Sequence, residues 1–165
     1  MQCSPESGSK FEIGSTTVTC TATDLSGNTA TASFIVTIKE TFCGRTIDDP
    51  FWNTVIDNRG NSSVNLQGTS GPDLFIAGDN GDEFDGRKGD DCIMGGAGND
   101  KLIGGADDDA IIGGDGNDTI KGSSGNDTIN GGNGDDVIDG NKGNDMCIGG
   151  DGNNTFESCE TEIDP

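Results

Sequence analysis

From Gly68 to Glu157 the chain divides into ten consecutive nonapeptides with no insertion between them. They read GTSGPDLFI, AGDNGDEFD, GRKGDDCIM, GGAGNDKLI, GGADDDAII, GGDGNDTIK, GSSGNDTIN, GGNGDDVID, GNKGNDMCI and GGDGNNTFE. The sixth position is Asp73, Asp82, Asp91, Asp100, Asp109, Asp118, Asp127, Asp136 and Asp145, then Asn154. The eighth is Phe75, Phe84, Ile93, Leu102, Ile111, Ile120, Ile129, Ile138, Cys147 and Phe156. A fixed short period of this kind is the mark of a solenoid, in which one unit buries nothing alone and stacked units bury a column.

The unit explains itself residue by residue. Glycine accepts positive φ and close backbone approach, so a run such as Gly95-Gly96-Ala97-Gly98 makes a tight turn with exposed carbonyls. The last three residues, such as Lys101-Leu102-Ile103, are long enough for a short strand whose alternation turns the eighth residue inward. Two units per coil give a strand and a turn on each side. Ten units then predict a parallel β-roll of about five coils, roughly 24 Å tall at the usual strand spacing.

An apolar column does not hold such a coil by itself. Burying one Ile or Leu stabilises by roughly 1.5–3 kcal/mol. Ordering nine residues, many of them Gly, costs about 1–2 kcal/mol each. Composition sharpens the deficit, because 30 acidic residues against 9 basic ones leave a net charge of −21, and only 29% of residues are hydrophobic. Such a chain is expected to be disordered unless a cation neutralises it. A soluble acidic low-complexity tail is the bland alternative, and the strict phase of the eighth position argues against it.

The turns offer carbonyl oxygens and one carboxylate each. These are hard ligands that suit Ca²⁺, which takes six to eight oxygens in flexible geometry, better than the stricter Mg²⁺. The chain has no His, and its turns carry no thiol ligands, so zinc and copper are disfavoured. A phosphate cradle is disfavoured by an Asp in nearly every turn, and no EF-hand loop is present. Nucleic acid and anionic membrane surfaces need basic footprints that are lacking. No apolar run is long enough to span a bilayer. No H-E-x-x-H or G-x-S-x-G motif occurs, so this stretch is expected not to be an enzyme.

These units resemble the G-G-x-G-x-D-x-U-x repeats of RTX (haemolysin-type) calcium-binding proteins. Gly113-Gly114-Asp115-Gly116-Asn117-Asp118-Thr119-Ile120-Lys121 matches at every fixed position. The resemblance implies Ca²⁺ between turns two repeats apart on one side of the roll. One turn gives its second- and fourth-position carbonyls, the other its first and third, and each gives its Asp. One site would then use Gly96, Gly98 and Asp100 with Gly113, Asp115 and Asp118. Another would use Gly114, Gly116 and Asp118 with Gly131, Asn133 and Asp136. Up to eight ions are implied, and eight would bring +16 against −21. Asp107 in place of the fourth glycine implies strain. Pro72 and the shifted Asn80-Gly81 weaken the first two units, and Asn154 removes the last charge. The middle sites are therefore expected to fill best.

The flanks read differently. Val18 to Asp24 and Thr29 to Ile38 are Thr- and Val-rich strands joined by a Ser26-Gly27-Asn28 turn. The words GSTTVTCTATDLSGNTATASFIVTI resemble the second half of a HYR (hyalin repeat) domain, an immunoglobulin-like fold linked to adhesion. That likeness implies a Cys3–Cys20 disulfide and upstream sequence beyond Met1. Residues 40–67 form a linker and cap, with Phe51, Trp52, Val55 and Ile56 over the first coil; a ligand-binding aromatic is the alternative. Arg59 to Gln67 reads as a degenerate repeat with Leu66 at the apolar position.

The six cysteines fit disulfides in an oxidising compartment, with free thiols as the alternative. Cys147 occupies an inward position, so a bridge to Cys159 would close the last coil, which leaves Cys43 and Cys92. The expected organisation is residues 1–39 as the partial HYR segment, 40–67 as linker and cap, 68–157 as the roll and 158–165 as a C-terminal cap. The expected function is calcium binding by a secreted or cell-surface protein, structural or adhesive, with a cell-surface or extracellular matrix partner. Export by an amino-terminal signal upstream of Met1 is expected. The alternative is the non-catalytic carboxy-terminal part of a secreted RTX hydrolase.

Overall fold

The structure, a computed structural model, describes residues 2–5, 14–39, 41–46, 48–57, 59 and 63–164. All regular structure among them is β, and the chain divides into two compact units, Met1–Thr41 and Phe42–Pro165.

The first unit is a three-stranded antiparallel sheet of β1 (Gln2–Ser4), β2 (Gly14–Thr23) and β3 (Thr29–Ile38), in the order β1-β2-β3. The Thr, Val, Ile and Phe residues of β2 and β3 favour extended strands. Asp24 fixes the hairpin turn by accepting hydrogen bonds from the backbone N–H groups of Ser26 and Asn28, both at 2.8 Å. Cys3 and Cys20 lie opposite each other in the ladder and form a disulfide. Residues 6–13 of the expected HYR segment lie outside the described residues.

Next along the chain, β4 (Thr41–Phe42) and β5 (Arg45–Thr46) pair with each other. A parallel solenoid follows. Its strands are β6 (Thr54–Asp57), β7 (Asn65–Gln67), β8 (Asp73–Ile76), β9 (Glu83–Lys88), β10 (Cys92–Ala97), β11 (Lys101–Ala106), β12 (Ala110–Asp115), β13 (Thr119–Ser124), β14 (Thr128–Asn133), β15 (Val137–Lys142), β16 (Met146–Asp151), β17 (Thr155–Glu157) and β18 (Thr161–Ile163). Even-numbered strands from β6 to β18 make one seven-stranded sheet. Odd-numbered strands from β7 to β17 make the facing six-stranded sheet.

The register repeats every 18 residues, as in Leu102 opposite Ile120 and Ile111 opposite Ile129. The eighth-position residues from both sheets form one buried interior column from Phe75 to Cys147. The ten units alone supply five turns; flanking strands extend the roll to about six. At the start, Leu66 pairs with Phe84, and Ile56 pairs with Phe75 through a longer, 19-residue turn. At the end, Met146 pairs with Thr161 through a shorter, 15-residue turn, inside which Cys147 and Cys159 are bonded.

The strands are longer than the three residues expected. They continue through the first three positions of the next unit, so that the turn proper is positions four to six. Of the expected cap residues, Ile56 joins the interior column, whereas Trp52 packs on the outer face of the even sheet with Leu74, Ile76 and Cys92. That outer cover, together with the Cys43–Cys92 disulfide, buries β8 on both faces. Phe51 stands edge-on to Trp52 beneath the Arg45 guanidinium, and the side chain of Val55 lies outside the described residues.

Candidate metal centre

The nine sixth-position aspartates, Asp73 to Asp145, are all buried, none more than 4% exposed. They stand in two columns because alternate units turn on opposite sides of the roll. One column is Asp73, Asp91, Asp109, Asp127 and Asp145, leading into the even strands. The other is Asp82, Asp100, Asp118 and Asp136, ending at Asn154 and leading into the odd strands.

From Asp82 to Asp145 each carboxylate is half used. One oxygen accepts a hydrogen bond from a backbone N–H one coil earlier, as Asp118 Oδ1 does from Asp100 at 2.8 Å and Asp136 Oδ1 does from Asp118 at 2.9 Å. The other oxygen, Oδ2, has no partner in Asp82, Asp91, Asp100, Asp109, Asp118, Asp127, Asp136 and Asp145. Eight orphaned anionic oxygens in one domain are a large liability, because an unpaired buried polar group costs about 1–3 kcal/mol and a charged one more. Burial pushes the Asp91 and Asp109 carboxyls up to about 8, Asp100 to about 7, and Asp118 and Asp127 to about 6. Neighbouring carboxylates add to the effect, and the backbone N–H bonds oppose it. Burial raises Asp136 and Asp145 as well.

The orphaned oxygens lie beside carbonyls. A Cβ on Gly95 would overlap Asp100 Oδ2 and come within 2.5 Å of the Gly113 carbonyl oxygen. Likewise Gly113 stands against both Asp118 Oδ2 and the Gly131 carbonyl. The first glycine of these units is therefore required by space. The second and fourth are favoured by backbone conformation: Gly114 has φ +120° and Gly116 φ +123°, and their Cα atoms face the carbonyls of Gly96 and Gly98 one coil earlier. Gly96 and Gly114 are in register, as are Asp115 and Asn133. The carbonyls of Asp115 and Asn133 accept hydrogen bonds from the N–H groups of Gly98 and Gly116 at 2.8 and 2.7 Å. Each carbonyl retains a second lone pair. Among the described residues no three His, Cys, Asp or Glu side chains gather into a metal cluster. A cation here would be held by one or two carboxylates and mostly by backbone oxygens, which suits a hard, flexibly coordinated ion.

The two ends show what occupies the orphan position when a protein group does. Asn154 stands where the next Asp would be. Its Oδ1 accepts from Asp136 N–H at 3.0 Å, and its Nδ2 donates to the Gly150 carbonyl at 3.2 Å and to Asp164 Oδ1 at 3.0 Å. At the other end, Asp73 Oδ2 accepts from the backbone N–H of Thr69 at 2.6 Å and from its hydroxyl at 3.0 Å. Asp73, expected as a ligand, is thus satisfied by Thr69. A positive dipole fills the place at both ends, and the eight positions between them have the shape and charge to take a cation.

Two features of the site were not read from the sequence. The fifth position, Asn or Asp in eight of ten units, builds a second ladder running the opposite way. Asn117 N–H donates to Asn99 Oδ1 at 2.9 Å, and Asp135 N–H to Asn117 Oδ1 at 3.0 Å. Its compositional bias was the available signal. Glu160 takes the place of a sixth-position Asp in the short last turn, accepting from Asp145 N–H at 2.7 Å. Nothing periodic marks it.

A family model described as RTX calcium-binding nonapeptide repeat (4 copies) matches residues 65–93, 85–120 and 121–156, together more than half of the chain. A HYR domain model matches residues 2–38. Comparison with curated proteins and with solved structures returned no match. RTX repeats, HYR domains and disulfides are together typical of extracellular proteins.

Proposed function

Because this chain belongs to the family of RTX calcium-binding nonapeptide-repeat proteins, we propose that at neutral pH its roll is completed only as its turns take up Ca²⁺, and that it serves as a structural or adhesive module outside the cell. The observation that carries this reading is the set of eight buried Oδ2 atoms without partners. Bound Ca²⁺ supplies two positive charges and an open oxygen coordination sphere.

The residues do the rest. Asp100 and Asp118 use one oxygen to tie successive coils together and aim the other at the turn. Gly96, Gly98, Gly113 and Gly114 let backbone carbonyls approach where any side chain would block them. By this reading Gly96, Gly98 and Asp100 act with Gly113, Asp115 and Asp118, and Gly114, Gly116 and Asp118 act with Gly131, Asn133 and Asp136. Asp82, Asp91, Asp109, Asp127 and Asp145 play the same part in their own turns. Up to eight ions are accommodated. Binding and folding are one event, since the ligand oxygens converge only in the coil.

Circular dichroism during a calcium titration of the full chain, with reversal by chelator, tests this. The expected result is a cooperative gain of β signal on Ca²⁺ and its loss on chelation. A spectrum indifferent to both overturns the proposal.

A further inference from the structure

The two columns of turns are not equivalent. In the column of Asp82, Asp100, Asp118 and Asp136, every residue held at positive φ is glycine, for example Gly96, Gly98, Gly132 and Gly134. In the column of Asp91, Asp109, Asp127 and Asp145, four such places are taken by side-chain-bearing residues: Arg87 (φ 76°), Asp107 (φ 81°), Ser123 (φ 88°) and Asn141 (φ 69°). A Cβ in that region crowds its own carbonyl, and the strain falls due each time the turn forms. Asn tolerates it best.

Charge follows the same division. The third position of the all-glycine column carries Asp79, Asp115 and Asp151; in the other column the same position carries Lys88 and Lys142. Arg87 and Lys88 put two cations on one turn. The turn of Asp107, Asp108 and Asp109 is the acidic exception in that column.

We infer that this roll takes up Ca²⁺ in two classes, a tight class in the all-glycine column of Asp82 to Asp136 and a weak class in the strained column of Asp91 to Asp145. The inference rests on the reading of the orphaned carboxylates as ligands. At intermediate calcium one side of the roll is loaded and the other slack, so the strained side is the one that responds to changes in ambient calcium. Relief of a single strained turn corresponds to roughly fivefold to thirtyfold in affinity, so the classes are expected to differ by on the order of tenfold.

Isothermal titration calorimetry of the full chain with Ca²⁺ alone tests this. The unaltered chain is expected to show two phases. The variant S123G/N141G changes no charge and removes two of the strained side chains. It should move the weak phase toward the tight one by about fivefold. Asp118→Asn places an amide where Asn154 already has one and should remove sites from the tight phase; Asp109→Asn should remove them from the weak phase. A single phase untouched by the glycine variant, or both Asn variants drawing on the same phase, overturns the two-class assignment while leaving calcium binding intact. No calcium heat at all overturns the underlying reading together with it.

Discussion

The first turns of the roll and its middle turns follow one backbone path and are held by different forces. At the start, Trp52, Leu74, Ile76 and Cys92 cover one face of β8 while Phe75 and Phe84 stack behind it with ring centroids 4.8 Å apart. The Cys43–Cys92 bond ties the preceding segment down, and Thr69 satisfies Asp73. In the middle, the outer faces are open, Ile112 being 38% exposed, and only single Ile and Leu side chains fill the interior. There the carboxylates have free oxygens and raised proton affinity. A periodic sequence has thus produced a periodic shape with an uneven distribution of energy: apolar burial and a cross-link at one end, and electrostatics that await an ion further along.

Chelation should expose that difference most strongly. With calcium removed, backbone amides from about residue 95 to 150 are expected to lose hydrogen-exchange protection, while those of β8 and β9 retain part of theirs. Uniform loss along the roll would break the comparison. The complementary change is Trp52→Ala, expected to cost about 3–5 kcal/mol, the usual range for removing a large buried aromatic. It should erase the protection that survives chelation and leave the calcium stoichiometry unchanged.

At single turns the same contrast separates two aspartates that are both fully buried. Asp118→Ala removes a proposed calcium ligand and the acceptor for Asp100 N–H, which alone costs about 1–3 kcal/mol. It should raise the calcium midpoint and lower the number of ions bound. Asp73→Ala should lower thermal stability by a similar amount without changing the number bound, because Thr69 already satisfies that carboxylate. Equal loss of ions in both variants would show that the ends are not self-satisfied.

How far the sequence revealed this depends on whether a contact is periodic. The interior column, the sixth-position aspartates and the degenerate turn at Leu66 were legible because each recurs at a fixed phase. The longer turn to Ile56, the short one to Thr161 and the substitution of Glu160 were not, because each occurs once and depends on where neighbouring strands happen to lie. Trp52 reads as a cover for the first coil, and the face it covers is the outer one, since positions seven and nine of β8 and β10 are apolar there and need shelter. Asp107 stands out as the replacement of a fourth-position glycine, and Arg87, Ser123 and Asn141, which replace the second, share its positive φ.

Acidity offers a smaller, reversible test. The buried carboxyls of Asp91, Asp100, Asp109, Asp118 and Asp127 hold protons more tightly than in an open chain, where an aspartate titrates near 4. The stability this confers is full below about pH 4 and is lost as pH rises through 6 to 8. In chelator the middle turns should therefore be most compact in acid and open toward pH 8. In calcium the order reverses, since protons compete with the ion for the same oxygens. Circular dichroism across this interval, with and without calcium, checks both limbs; parallel curves would mean that these aspartates are not the ligands.

The smallest expected effect is at Asn154, and it discriminates most finely between an end held by protein donors and a middle held by ions. Asn154→Asp keeps the acceptor for Asp136 N–H and replaces the amide that donates to Gly150 and Asp164. The new carboxylate would lose both donations and face Asp164 at close range. At calcium just sufficient to close the middle turns, the variant is expected to be less stable by about 1 kcal/mol, the low end for two ordinary hydrogen bonds. At saturating calcium the sign should change, because the end now presents the same orphaned oxygen as the turns before it. Thermal unfolding of both proteins in the two conditions measures the difference. A deficit of the same size at both calcium levels would mean that the amide at 154 is merely a good hydrogen-bonding partner and does not stand in for a cation.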